Sequence, residues 1–113
     1  MNPQIPGRMS AGVYYAPGDV RIEQVPVPQP GPGEMLVRVR ACGLCGTDLA
    51  KYRLRLAQPG TVLGHEVAGE VVALGASVQR FAIGDRVLVP HHVPCFACVY
   101  CRHGSFSMCA EWK

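Results

Sequence analysis

No stretch of this 113-residue chain is apolar for long enough to span a bilayer. The opening Met1-Asn2-Pro3-Gln4-Ile5-Pro6-Gly7-Arg8 lacks the apolar run of an export signal. No membrane partner is therefore expected, and a reducing cytoplasm is the expected compartment. Charge is sparse too, at 17% of residues and a net +3, with Lys and Arg scattered rather than gathered into a stripe. That pattern argues against a nucleic-acid partner. Internal repeats are missing, and so is any Gly-x-Gly-x-x-Gly that could open a dinucleotide-binding βαβ unit.

What is present reads as a loop-rich β protein: 49% hydrophobic residues, 13 glycines and 10 prolines. The length allows one domain, burying roughly two-thirds of its unfolded surface. Residues 1–9 read as a flexible polar leader, with Met9 a candidate start. Ala11 to Tyr15 and Val20 to Val25 are expected to form a hairpin around Ala16-Pro17-Gly18-Asp19. The prolines of residues 26–33 cannot supply a regular ladder of donors, so that segment is an extended connector. Glu34 to Cys42 alternates, with Met35, Val37, Val39 and Ala41 on one face and Arg38 and Arg40 on the other. Thr47 or Asp48 is expected to cap a short helix through about Tyr52. A bend at 64–66 precedes a strand from Val67 to Leu74, and a short strand comes after Gly84-Asp85. Regular pattern stops after Pro90.

There the cysteines gather. Cys95, Cys98, Cys101 and Cys109 fall within fifteen positions as C-x2-C-x2-C-x7-C. Thiolates two residues apart can converge on one ion, and four sulfurs close a structural zinc tetrahedron. A bacterial ferredoxin run has three residues before its fourth cysteine and a proline after it, whereas here there are seven and Ala110 comes next. A thioredoxin-like pair needs a βαβ context that the chain lacks. His91, His92 and His103 are read as ordinary loop residues, since four sulfurs already fill the tetrahedron.

Cys45 and His65 each stand at a glycine-rich break beside an apolar strand, in Gly43-Leu44-Cys45-Gly46 and Leu63-Gly64-His65-Glu66. A Cys and a His from separate strand ends, with a carboxylate adjacent, suit an open zinc site. On the residues alone, a hydrogen-bonded structural His and a buried Cys fit the pattern as well. Cys42 is read as an ordinary strand residue.

Cys45-Gly46-Thr47-Asp48, Gly64-His65-Glu66, Gly84-Asp85-Arg86-Val87 and the four-cysteine lobe succeed one another with the order and spacing of the zinc-dependent medium-chain alcohol dehydrogenases. The chain resembles that family from Met9 onward, and the Cys-Gly-Thr-Asp form is nearer its sorbitol and threonine dehydrogenase branches. The resemblance implies a mainly β, GroES-like antiparallel barrel, incomplete here, over residues 10–113, with a structural zinc lobe at 91–113 and the nucleotide-binding domain absent. It further implies a catalytic zinc held by Cys45 and His65, with Glu66 an alternate ligand. Thr47 would meet the substrate hydroxyl, and Asp48 would orient His65. The implied reaction oxidises an alcohol or polyol by hydride transfer to NAD or NADP, with zinc polarising the substrate oxygen, in an enzyme that is a homo-oligomer at full length. Where many relatives carry a proton-relaying histidine, this chain has Ala50. A non-enzymatic zinc-stabilised binding module, contacting a partner through Arg102 to Met108, is the other reading.

Overall fold

The computed structural model describes residues 5–111. Its strands form two three-stranded antiparallel sheets. In the first, β1 (Arg8–Ala16) is central, flanked by β2 (Asp19–Pro26) and the two-residue β4 (Thr61–Val62). In the second, β5 (Glu66–Leu74) is central, between β3 (Met35–Gly43) and β6 (Arg86–Val89). The expected architecture is mainly β, and so is the observed one. The described strands make two open sheets and no closed barrel.

The β1–β2 hairpin turns where expected. Pro17 presets its own φ, and Gly18 takes φ +80°, a value that a Cβ disfavours. The strand begins earlier than the leader expected over residues 1–9 allows. Arg8 already pairs with Pro26, and the Val27 N–H donates to the Gly7 carbonyl at 3.1 Å. Arg8 and Met9 point exposed side chains outward, so their pairing is a backbone matter that side-chain pattern does not reveal. Residues 1–4 of that leader, and 112–113 of the expected lobe, lie outside the described residues.

The alternation expected of β3 is interrupted. Leu36 faces Ala73 but Val37 faces Val71; Val39 faces Gly69 but Ala41 faces Ala68. Val72 on β5 and Arg40 on β3 are thus extra residues in the ladder, and each shifts the facing of the residues beyond it. Val39, before the Arg40 bulge, is itself 57% exposed, so that face of β3 is not buried along its length. The core proper is small: Val13 and Tyr14 from β1, Val71 and Val72 from β5. Tyr14 also stacks edge-on against Tyr52, ring centroids 6.0 Å apart. This joins α1 (Gly46–Arg53) to the hairpin, and the Tyr52 hydroxyl accepts the Gly18 N–H at 2.7 Å.

Candidate metal centres

Cys45 ends the loop after β3 and, rather than Thr47 or Asp48, is the N-cap of α1, with extended backbone at φ −94° and ψ 154°. Asp48 sits three residues on and reaches back, its Oδ2 accepting the Cys45 N–H at 3.1 Å. This is the return half of a capping box, so the carboxylate belongs at the third helical position and not at the cap. Its second oxygen, Oδ1, lies 3.3 Å from His65 Nδ1 and has no other hydrogen-bond partner among the described residues. Asp48 is only 6% exposed. A buried carboxylate oxygen facing one imidazole favours a proton on the facing nitrogen, which leaves Nε2 as the lone-pair donor of His65.

His65 is aimed by its neighbours. Gly64 has φ +120°, and a Cβ there would stand 2.8 Å from Cys42 Sγ. Glu66 then opens β5. The ligand atoms of Cys45, His65 and Glu66 lie within 4.8 Å of one another, close enough to share an ion. Thr47 Oγ1 is 3.6 Å from Cys45 Sγ. Thr47, His65 and Glu66 face an open cleft of ≈ 610 Å³, with Lys51 and His91 on its wall. All the sequence-expected residues of this site therefore converge.

His91, an ordinary loop residue on sequence grounds, has its ring centroid 6.2 Å from that of His65. The signal for this lies in strand register. Val89 on β6 faces Val67 on β5, and carrying that antiparallel register two residues further sets His91 opposite His65. His92 joins the same turn, its Nδ1 3.1 Å from His91 Nε2.

The ligand atoms of Cys95, Cys98, Cys101 and Cys109 likewise lie within 4.8 Å of one another, and all six cysteines are free thiols. A one-turn helix, α2 (Val99–Arg102), starts at the Cys98 cap, and a 3-10 turn (Phe106–Met108) ends at Cys109. Phe96 stacks edge-on against Phe106 at 5.6 Å, closing the lobe. Backbone amides are turned onto the sulfurs. Cys95 Sγ accepts the N–H of Ala97 at 3.4 Å and of Cys98 at 3.3 Å, and Cys109 Sγ accepts the Cys95 N–H at 3.3 Å. Such donors favour the thiolate. Those two amides hold the Cys95 thiol below its usual range, and the amides of Ala110 and Cys101 bring Cys98 down to about 6. Burial pushes Cys101 up to about 12, and its neighbouring sulfurs add to the rise. Four sulfurs, two of them favoured as anions by N–H groups, suit a closed zinc site; an imidazole and a carboxylate on an open cleft, with a thiol gathered beside them, suit a site with room for substrate.

The family model of the alcohol dehydrogenase GroES-like domain matches residues 31–113. The chain is 41% identical over 123 residues to an erythritol/L-threitol dehydrogenase of Mycolicibacterium smegmatis, covering 96% of this chain and 34% of that protein. It is 40% identical over 112 residues to an L-threonine 3-dehydrogenase of Pyrococcus horikoshii, covering 94% of this chain and 32% of that one. Among solved structures, an alcohol dehydrogenase from Thermus sp. ATN1 superimposes with a TM-score of 0.84 at 38% identity, over 92% of this chain and 31% of that one. The chain spans about a third of the length of the relatives it matches.

Proposed function

Because this chain belongs to the zinc-dependent medium-chain alcohol dehydrogenase family, as its GroES-like N-terminal domain, we propose that it is the metal-holding portion of an enzyme oxidising an alcohol or polyol by hydride transfer to NAD or NADP. Cys45, His65 and Glu66 would hold the catalytic zinc, and Cys95, Cys98, Cys101 and Cys109 a structural one. The observation that carries this reading is the convergence of the first three ligand atoms within 4.8 Å, backed by a buried carboxylate on the histidine.

A zinc ion in the cleft would supply Lewis acidity to the substrate oxygen. The chain's own residues would do the rest. Asp48 holds the His65 ring and its Nδ1 proton in place. The Thr47 hydroxyl, beside Cys45, would take a hydrogen bond from the substrate alcohol. With Ala50 offering no titratable group, the proton would leave through water or another residue of the cleft wall. The lobe would do no chemistry; its role is stability. A small-molecule substrate, a cytoplasmic setting and a homo-oligomeric full-length enzyme complete the reading. No helix among the described residues is long and apolar enough to cross a membrane.

Metal counting tests it. The purified chain is expected to take up two zinc ions, and Cys45→Ser or His65→Ala to lose one while the lobe keeps the other. A single ion held by the lobe alone would instead favour the non-enzymatic module. The chain by itself, with no Gly-x-Gly-x-x-Gly, is expected to reduce neither NAD nor NADP with any alcohol; measurable turnover would refute that part.

A further inference from the structure

Glu66 and Gly43 are directly opposed residues of the β3–β5 ladder, at its end nearest the cleft. Had Gly43 a Cβ, that atom would overlap Glu66 Oε2 and stand 3.1 Å from Glu66 Cβ and 3.3 Å from its Cδ. The three nearest obstacles all belong to one side chain. Glu66 therefore lies folded over the bare backbone of Gly43. The backbone itself does not demand glycine: Gly43 is not among the residues with positive φ. What the position requires is empty space, and Glu66 occupies it.

That space has a consequence two residues on. Gly43 leads through Leu44 to Cys45, and Glu66 comes directly after His65. A carboxylate laid back across β3 is the one that comes within 4.8 Å of both ligand atoms. The bulge at Arg40 contributes, because it resets the register so that Gly43, and not a neighbour, faces Glu66. We infer that Gly43 is a positioning residue of the metal site: its missing side chain lets Glu66 fold over β3 and join Cys45 and His65. This rests on the reading that those three residues share an ion.

A methyl group at Gly43 meets mainly the flexible end of Glu66, so Gly43→Ala is expected to leave the sheet intact and turn the carboxylate away. The test is a Co2+ titration of the chain whose lobe already holds zinc, tracking the absorption of the second site. Gly43→Ala should weaken Co2+ about tenfold, the scale seen when groups supporting a metal site are lost. It should also move the spectrum in the same direction as Glu66→Ala. Adding Gly43→Ala to Glu66→Ala should cost less than about twofold more, because both changes remove one interaction. In the metal-free chain, NOEs between the Gly43 Hα and the Glu66 side chain should be present and should vanish in Gly43→Ala.

Unchanged Co2+ affinity and spectrum in Gly43→Ala, or full additivity with Glu66→Ala, overturns the inference while leaving the metal site standing. A wild-type chain that takes no Co2+ outside the lobe overturns the metal reading and the inference together. If Gly43→Ala fails to fold, Gly43→Ala/Glu66→Ala should fold again, since the overlap is with Glu66. A double variant as unfolded as the single one would show that Gly43 serves the strand instead.

Discussion

Cys98 and Cys101 are one helical turn apart and sit in opposed surroundings. The amides of Ala110 and Cys101 favour the Cys98 thiolate, whereas burial favours the Cys101 thiol. In the metal-free chain at pH 7, iodoacetamide is therefore expected to modify Cys98 well before Cys101, as read by peptide mass spectrometry, because the thiolate is the nucleophile. The pH dependence has a sign. Cys98 ionises at about 6 in the fold and at about 8.5 when unfolded. Its contribution to stability is thus fully present above about 8.5 and is lost as pH falls through 6. Cys101, held up to about 12, acts oppositely: its contribution is present below about 8.5 and is lost as pH rises toward 12. Together they give the metal-free lobe a stability maximum near pH 8.5. Urea midpoints read from lobe resonances between pH 6 and 10 would test this, and a midpoint falling steadily from 6 upward would contradict it.

At the level of elements, α1 carries most of the site's organisation. Asp48 serves twice, accepting the Cys45 N–H with Oδ2 and facing His65 with Oδ1. Asp48→Asn keeps the shape but gives up the charge on both contacts. It is expected to cost about 1 kcal/mol in thermal unfolding, the scale of a lost helix-terminus interaction. It should also weaken second-site Co2+ by roughly tenfold to a hundredfold, the scale of a lost partner to a ligating histidine. Tyr52→Phe removes the acceptor of the Gly18 N–H at the far end of the same helix. That should cost about 1 kcal/mol without altering metal uptake, which separates anchoring of the helix from orientation of the ligand. The existence of α1 was legible in sequence, because Gly46-Thr47-Asp48 is a recognisable helix start. Its cap was not, because a cysteine is an unusual N-cap; its extended backbone and the return bond from Asp48 identify it. The face pattern of β3 was half legible. Alternation names the strand, but the extra residue Arg40 resets its facing, and no local pattern announces a bulge.

At the scale of the whole molecule, the buried core is small enough for metal to matter. Val71 and Tyr14 are its largest fully buried side chains, and Cys101 and Cys109 make a second buried cluster in the lobe. Adding a chelator or lowering pH should loosen residues 95–109 first, since zinc needs deprotonated thiols. Hydrogen exchange should quicken at Val99 to Arg102 while the β3–β5 ladder keeps its protection; exchange in the lobe indifferent to chelation would remove the metal from it.

The two candidate metal centres divide along the same line. The lobe was legible from the chain alone, because its four sulfurs lie within fifteen residues and local turns suffice to converge them. The resemblance to the dehydrogenase family was legible too, because it rests on residue types in order. Which residues meet across strands was a different matter. Cys45 and His65 are brought together by the β3–β5 pairing, and His91 joins them through the β5–β6 pairing. Glu66 reaches them over Gly43 because the Arg40 bulge undoes the shift that the Val72 bulge introduced, which restores the register that sets those two residues opposite each other. Sequence determined which groups could bind a metal. Cross-strand register, a non-local property set by backbone pairing, decided which of them share one cleft.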